Sequence, residues 1–109
     1  MTLVTRKLIS SVTSEKQPHA GQRNRSSANF STEGIPNGTK KLVWEIEGDT
    51  ETKAIKFNVM QDKSVAIDPT IFTDVFSGKE TDVKSARFLY IANPKGATSS
   101  FKVNVYAVY

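Results

Sequence analysis

The last segment of the chain combines a tyrosine with polar side chains at a spacing that could bind a ligand. Lys102, Asn104 and Tyr106 recur at every second position, and the residues between them are apolar. In a strand, this alternation puts the three side chains together on one exposed face. An exposed tyrosine beside amide and amino groups can stack on a sugar or a base, and it equally suits a subunit interface. We therefore predict a binding face at Tyr106, Lys102 and Asn104.

A second candidate for ligand binding is a basic segment at the beginning of the chain. Residues 1–25 contain five basic residues and one acid, while the other 84 residues hold ten of each, so the whole net charge of +4 lies in this segment. Such an arm can contact an anionic ligand, including nucleic acid. The basic residues predicted to make these contacts are Arg6, Lys7, Arg23 and Arg25. A solvated basic segment is the simpler interpretation, and we favour it over nucleic-acid binding.

Residues that could catalyse a reaction or hold a metal are few. The only histidine, His19, has no acidic neighbour able to complete a triad, and the chain contains no cysteine. Four carboxylates cluster along one segment, namely Glu45, Glu47, Asp49 and Glu51. Calcium favours several oxygen ligands, but a solvated hairpin balanced by Lys53 and Lys56 on a neighbouring strand explains the cluster better. We expect no catalytic residue, no metal site and no cofactor, and therefore not an enzyme.

The elements that carry these residues are mostly strands. Short runs of β-branched and aromatic residues are separated by turn residues roughly every 8–12 positions. This pattern predicts an all-β protein, either an antiparallel β-sandwich of jelly-roll-like topology or a barrel, with about six to eight strands. One short helix is predicted near 69–77, because Asp68 and Pro69 form a helix-start signal and apolar residues follow at helical spacing up to Gly78.

The first of two predicted hairpins lies around the acidic cluster. Its first strand alternates apolar and polar residues through Leu42 and Trp44. A four-residue loop at 48–51 would set Ile55 opposite Trp44 and Phe57 opposite Leu42, which matches apolar residues across the pair. We therefore favour this loop over a two-residue one.

The second predicted hairpin joins the last two strands. A four-residue turn at 93–96 would pair Phe88 with Phe101 in the core. The first of these strands is apolar on both faces, with Tyr90 on one and Ile91 on the other. A strand of this kind is usually covered on both sides. We expect its second cover to come either from another subunit or from the chain's own N-terminal arm.

The chain is expected to divide into an arm and a body. Residues 1–28 are predicted to form a basic, polar arm with a possible first strand at 2–14. A long, two-faced or bulged strand is favoured there over a short amphipathic helix. Residues 29–109 are predicted to form the β-sandwich domain. Residues 2–12 are too polar for a signal peptide, and no apolar run approaches the ~18 residues of a membrane span, so we expect a soluble chain with no membrane partner.

These features favour a non-enzymatic structural or self-assembling subunit, most simply a homo-oligomer. Its basic arm and two-faced terminal hairpin would make the contacts between chains. The alternative is a carbohydrate-binding, lectin-like module that uses the Tyr106 face. Nucleic-acid binding through the arm is the weaker alternative.

Overall fold

The protein is a β-sandwich in the computed structural model, which describes residues 5–18, 25–63 and 67–109. These residues form seven strands and one short helix. In chain order the elements are β1 (Arg6–Ser14), β2 (Lys41–Glu47), α1 (Thr50–Lys53), β3 (Lys56–Gln61), β4 (Thr70–Val75), β5 (Lys79–Thr81), β6 (Leu89–Lys95) and β7 (Phe101–Val108). The strands form two antiparallel sheets, sheet A in the order β1-β7-β2-β5 and sheet B in the order β4-β3-β6. The predicted all-β sandwich is confirmed.

The segment 25–30 extends sheet B along the free side of β6. Arg25 bridges Ala92, Phe30 bridges Leu89, and the N–H of Ser26 donates to the carbonyl of Ile91 at 2.8 Å. With this segment counted as a strand, pairing is nested from the chain ends inward: β1 with β7, the segment with β6, β2 with β5, and β3 with β4. Such nesting gives the sandwich a jelly-roll-like topology.

The core lies between the two sheets and is centred on the fully buried Trp44 of β2. Its ring meets those of Phe30, Phe57 and Phe72 edge-on, with centroids 6.1, 6.3 and 5.8 Å away. Its indole N–H donates to the Thr81 hydroxyl at 2.9 Å, so the one polar group of this ring is satisfied. Aromatic residues of sheet B and of the segment that extends it therefore pack around one side chain of sheet A.

The predicted hairpin between β2 and β3 is wrong, because the two strands lie in different sheets. Trp44 lies opposite Val105 on β7 and Lys79 on β5, rather than opposite Ile55. The connection contains helix α1, which begins where the Asp49 carboxylate accepts from the Thr52 N–H at 2.9 Å. The apolar match that suggested the hairpin reflects packing across the core, not pairing within a sheet.

The predicted terminal hairpin is also wrong, since β6 belongs to sheet B and β7 to sheet A. Phe101 is buried, but Phe88 precedes β6 with a φ of 59° and is 56% exposed. The second face of β6 is nevertheless covered. Tyr90 is buried there, with the Arg25 guanidinium 4.4 Å from its ring centroid. Of the two expected sources of cover, the chain's own segment supplies this one.

The helix predicted near 69–77 is a strand, β4. Phe72 and Val75 lie opposite Val59 and Phe57 of β3, with two register shifts along the pair. These shifts bring residues of both parities towards the core, which imitates helical spacing in the sequence. Asp68 does not cap a helix; its carboxylate accepts from the Lys63 N–H at 2.8 Å.

Strand β1 lies within the range 2–14 and is an edge strand of sheet A, paired with β7. Its register shifts between Leu8 and Ser10, so Ile9 is the extra residue of a bulge. The division of the chain at residue 28 stays a prediction. No helix among the described residues is long and apolar enough to cross a membrane.

Candidate functional site

The outer face of sheet A, turned away from the core, brings together four of the seven predicted site residues. On β7, Val103 and Val105 point into the core, so Lys102, Asn104 and Tyr106 lie on the outer face. Arg6 reaches this face from the edge strand β1. The alternation seen in the sequence therefore places the β7 residues as expected.

Arg6 and Tyr106 form the centre of this face. The guanidinium carbon lies 4.2 Å from the centroid of the tyrosine ring. Beyond the ring, Nη1 and Nη2 of Arg6 donate to the two carboxylate oxygens of Glu45 on β2, at 2.8 and 3.4 Å. This pairing with Glu45 raises the pKa of Arg6 above its ordinary value. Because the arginine covers one side of the ring, a sugar stacking there would have to displace it.

Asn104 is held by hydrogen bonds on both sides and is only 8% exposed. Its Oδ1 accepts from the Ser11 hydroxyl at 2.7 Å, and its Nδ2 donates to Glu47 Oε2 at 2.9 Å. The amide thereby links three neighbouring strands, β1, β7 and β2. The Asn104 amide, followed by the Lys102 ammonium 3.4 Å away, lowers the pKa of Glu47 below its ordinary value. These hydrogen bonds give Asn104 a structural role, because they join the side chains of β1, β7 and β2.

The outer face is charge-balanced. Its ion pairs join Arg6 to Glu45, Lys102 to Glu47, and Lys41 to Glu80. The partners expected for the glutamates, Lys53 and Lys56, are not on a strand that pairs with β2. Each of these three cations already faces a carboxylate, so an anionic ligand would have to compete with it.

The acidic cluster seen in the sequence does not converge on one point. Glu45 and Glu47 pair with cations of the outer face, whereas the Asp49 carboxylate caps helix α1. Hydrogen bonds from Thr52, first of all from its backbone N–H, lower the pKa of Asp49. Within residues 5–18, 25–63 and 67–109, no three acidic or histidine side chains are placed to hold a metal ion.

The other predicted site residues lie elsewhere. Lys7 is exposed and lies opposite Ala107, on the side of β1 away from Tyr106. Arg25 belongs to the other sheet, where it pairs with Asp62 at 3.1 Å and stacks on Tyr90. Arg23 and the histidine His19 are outside the described residues. Of the described basic residues of the arm, Lys7 and Arg25 therefore do not share the outer face with Arg6.

Sequence reasoning missed a polar cluster around Tyr90 on sheet B. The tyrosine hydroxyl donates to Asp68 Oδ2 at 2.5 Å, beneath the guanidinium of Arg25. Burial, followed by this hydrogen bond, raises the pKa of Tyr90 to about 12. The residues of this cluster come from three distant parts of the chain, so no local spacing in the sequence predicts it.

Sequence reasoning also missed the open edge of β1. In the described part of the chain, no strand pairs with that edge from Arg6 to Thr13, and Ser27 bridges Ser14 beyond it. Leu8 lies on this stretch beside Tyr106 and is 50% exposed. No periodicity in a sequence distinguishes an edge strand from a central one, since the difference depends on what lies alongside it.

No protein-family model, curated protein or solved structure matches this chain.

Proposed function

We propose that this protein is a non-enzymatic structural subunit that associates with copies of itself through strand β1. The observation that carries the proposal is the open edge of this nine-residue strand. An edge strand presents unpaired N–H and C=O groups, which pair readily with another strand. The half-exposed Leu8 adds an apolar contact at the same place.

The other sheet edges are poorer candidates. Among the described strands, β5 has only three residues, and β4 carries two register shifts and a positive φ at Asp74. Short edges and repeatedly interrupted edges resist pairing with another chain, whereas β1 carries a single bulge in nine residues. The outer side of β6 is occupied by the segment 25–30. Strand β1 is therefore the edge best suited to contact a second subunit.

Two regions were expected to make contacts between chains, the basic arm and the terminal hairpin, and we retain only the arm, through its strand β1. The apolar side of β6 that suggested an interface is covered at Tyr90 by the chain's own Arg25. The lectin-like alternative receives less support, because Arg6 covers the Tyr106 ring and the surrounding charges are paired. Jelly-roll domains occur both in capsids and in lectins, so the topology by itself favours neither function.

The test is the native mass of the full chain, measured by light scattering over a range of concentrations. We expect multimers for the wild type and smaller species for Leu8→Lys, which adds positive charge beside Arg6 and Lys7 at the open edge. Val83→Lys is the matched control, because Val83 is 41% exposed and lies on no strand. A monomeric wild type at all concentrations would reject the proposal, as would a Leu8→Lys variant of unchanged mass.

Deleting residues 1–25 would be a poorer experiment. The deletion removes β1 itself, including the buried Val12 and Ser14. The loss of a strand from sheet A would change the mass through misfolding, whatever the interface. A single exposed substitution avoids this ambiguity.

A further inference from the structure

We infer that the partner of the β1 edge is the β1 strand of a second copy, antiparallel to the first, about a two-fold axis between Ile9 and Ser10. The inference rests on the proposed function and adds the register of the pairing. In this register Leu8 faces Ser11 of the second copy, and Arg6 faces Thr13. Two separate features of β1 give the same axis, and in this register the Arg6 residues of the two copies lie far apart.

The first feature is the length of the open edge. It runs over eight residues, from Arg6 to Thr13, and ends where Ser27 bridges Ser14 and the Glu15 N–H donates to Ser26 at 2.7 Å. The midpoint of this stretch lies between Ile9 and Ser10. The same eight residues of a second copy fill the edge about this midpoint without displacing the segment that contains Ser27.

The second feature is the bulge at Ile9. In antiparallel pairing, facing residues lie on the same side of the sheet. In a regular strand, an axis between two consecutive residues would set outer residues opposite inner ones. The bulge reverses the alternation at this point, as the register with β7 demonstrates. Before the bulge Leu8 is opposite Tyr106, and after it Ser11 is opposite Asn104, so both lie on the outer face. Pairing about Ile9 and Ser10 therefore sets outer residues opposite outer residues along the whole edge.

The third feature is the distribution of charge. The Arg6 residues of the two copies would be about 23 Å apart along the strands, so they do not repel strongly. The Arg6 guanidinium is held by Tyr106 and Glu45 of its own copy, on the side of β1 away from the open edge. The register therefore needs no ion pair from Arg6 and does not bring the two arginines together.

A cleft at the end of the open edge provides room for the second strand. It has a volume of about 390 Å³ and is lined by Thr13, Glu15, Arg25, Ser26, Ser27 and Ala28. The N-terminal end of the second β1 would enter at this cleft. Pairing of the two β1 strands joins sheet A of one copy to sheet A of the other, which gives one continuous sheet of eight strands.

Cysteine cross-linking tests the register directly, because the chain has no cysteine of its own. The variants Leu8→Cys and Ser11→Cys are mixed, allowed to exchange subunits, and oxidised. A disulfide needs Cβ atoms about 3.5–4.5 Å apart, which facing residues approach, whereas diagonal neighbours are about 7–8 Å apart. We expect a covalent dimer in the mixture and little product from either variant alone. Leu8→Cys mixed with Thr13→Cys is the matched control, since these positions do not face each other in the proposed register.

The possible outcomes separate the register from the proposed function. A strong cross-link from Ser11→Cys alone would place the axis at Ser11 and overturn the inference. A multimeric wild type whose variants give no cross-link would also overturn it, while leaving self-association intact. A monomeric wild type would reject both. If Ser11→Cys does not fold, judged by circular dichroism, Arg6→Cys with Thr13→Cys tests the same register.

Discussion

The Arg6 guanidinium on β1 lies 4.2 Å from the centroid of the Tyr106 ring on β7 and continues to the Glu45 carboxylate on β2. One side chain thus spans three strands of sheet A. This contact stabilises the beginning of β1. As an edge strand, β1 has one neighbouring strand in its sheet, whereas a central strand has two. An exposed ion pair alone contributes little, but a guanidinium that also stacks on an aromatic ring is held in place by two interactions.

Replacing Arg6 by alanine should therefore destabilise the protein more than replacing Lys7. Arg6→Ala removes the stacking on Tyr106 and the pairing with Glu45, whereas the Lys7 side chain makes no ion pair with a described residue. Both changes remove one positive charge from β1, so the difference reports the contacts. The measurement is the midpoint of urea unfolding for the two variants. Equal midpoints would show that the stacked arrangement adds nothing to stability.

Asn104→Ala should lower the free energy of unfolding by about 1–3 kcal/mol, the usual cost of leaving buried hydrogen-bonding groups without a partner. The buried amide joins Ser11 to Glu47, and its loss deprives both of a hydrogen bond. Ser11→Ala should cost less, because only one of these bonds is lost and Ser11 is exposed. A double-mutant cycle in denaturant measures the coupling between Asn104 and Ser11. A coupling of zero would contradict the hydrogen bond between them.

The sequence predicts which face of a strand is buried much better than it predicts which strands pair with each other. Alternation on β2 and β7 correctly separated Trp44 and Val105 from the outer residues, because burial of one face of a strand follows period two. The two hairpins were wrong because adjacent strands cross from one sheet to the other, and an apolar face matches equally well across the core. Of the candidate site, parity located Tyr106 and its β7 neighbours. The stacking of Arg6 on Tyr106 requires β1 to lie beside β7. This pairing joins the two ends of the chain, and no local pattern in the sequence indicates it.

Phe88→Gly should be more stable than Phe88→Ala by about 1 kcal/mol, because φ at this position is 59° and an alanine Cβ is strained in this left-handed region, whereas glycine is not. Both variants lose the same partly buried phenylalanine ring, so the difference between them reports the backbone conformation. At Val83, which is also exposed but has no positive φ, the order should be reversed, with Val83→Ala more stable than Val83→Gly. Chemical denaturation of the four variants gives both differences, and a Phe88→Ala variant at least as stable as Phe88→Gly would contradict backbone strain at this position.

Tyr90 should make stability fall at alkaline pH. Burial raises its pKa to about 12 in the folded protein, whereas an unfolded tyrosine ionises near pH 10. Between these values the unfolded chain releases the proton while the folded chain retains it, so the free energy of unfolding decreases as the pH rises. The contribution is fully present below about pH 10 and is lost by about pH 12. Unfolding free energies measured across this range should fall less steeply for Tyr90→Phe than for the wild type. Absorbance titration should show one tyrosine that ionises at higher pH than the others and that the variant lacks. Identical slopes and identical titrations in the two proteins would contradict the buried hydrogen bond to Asp68.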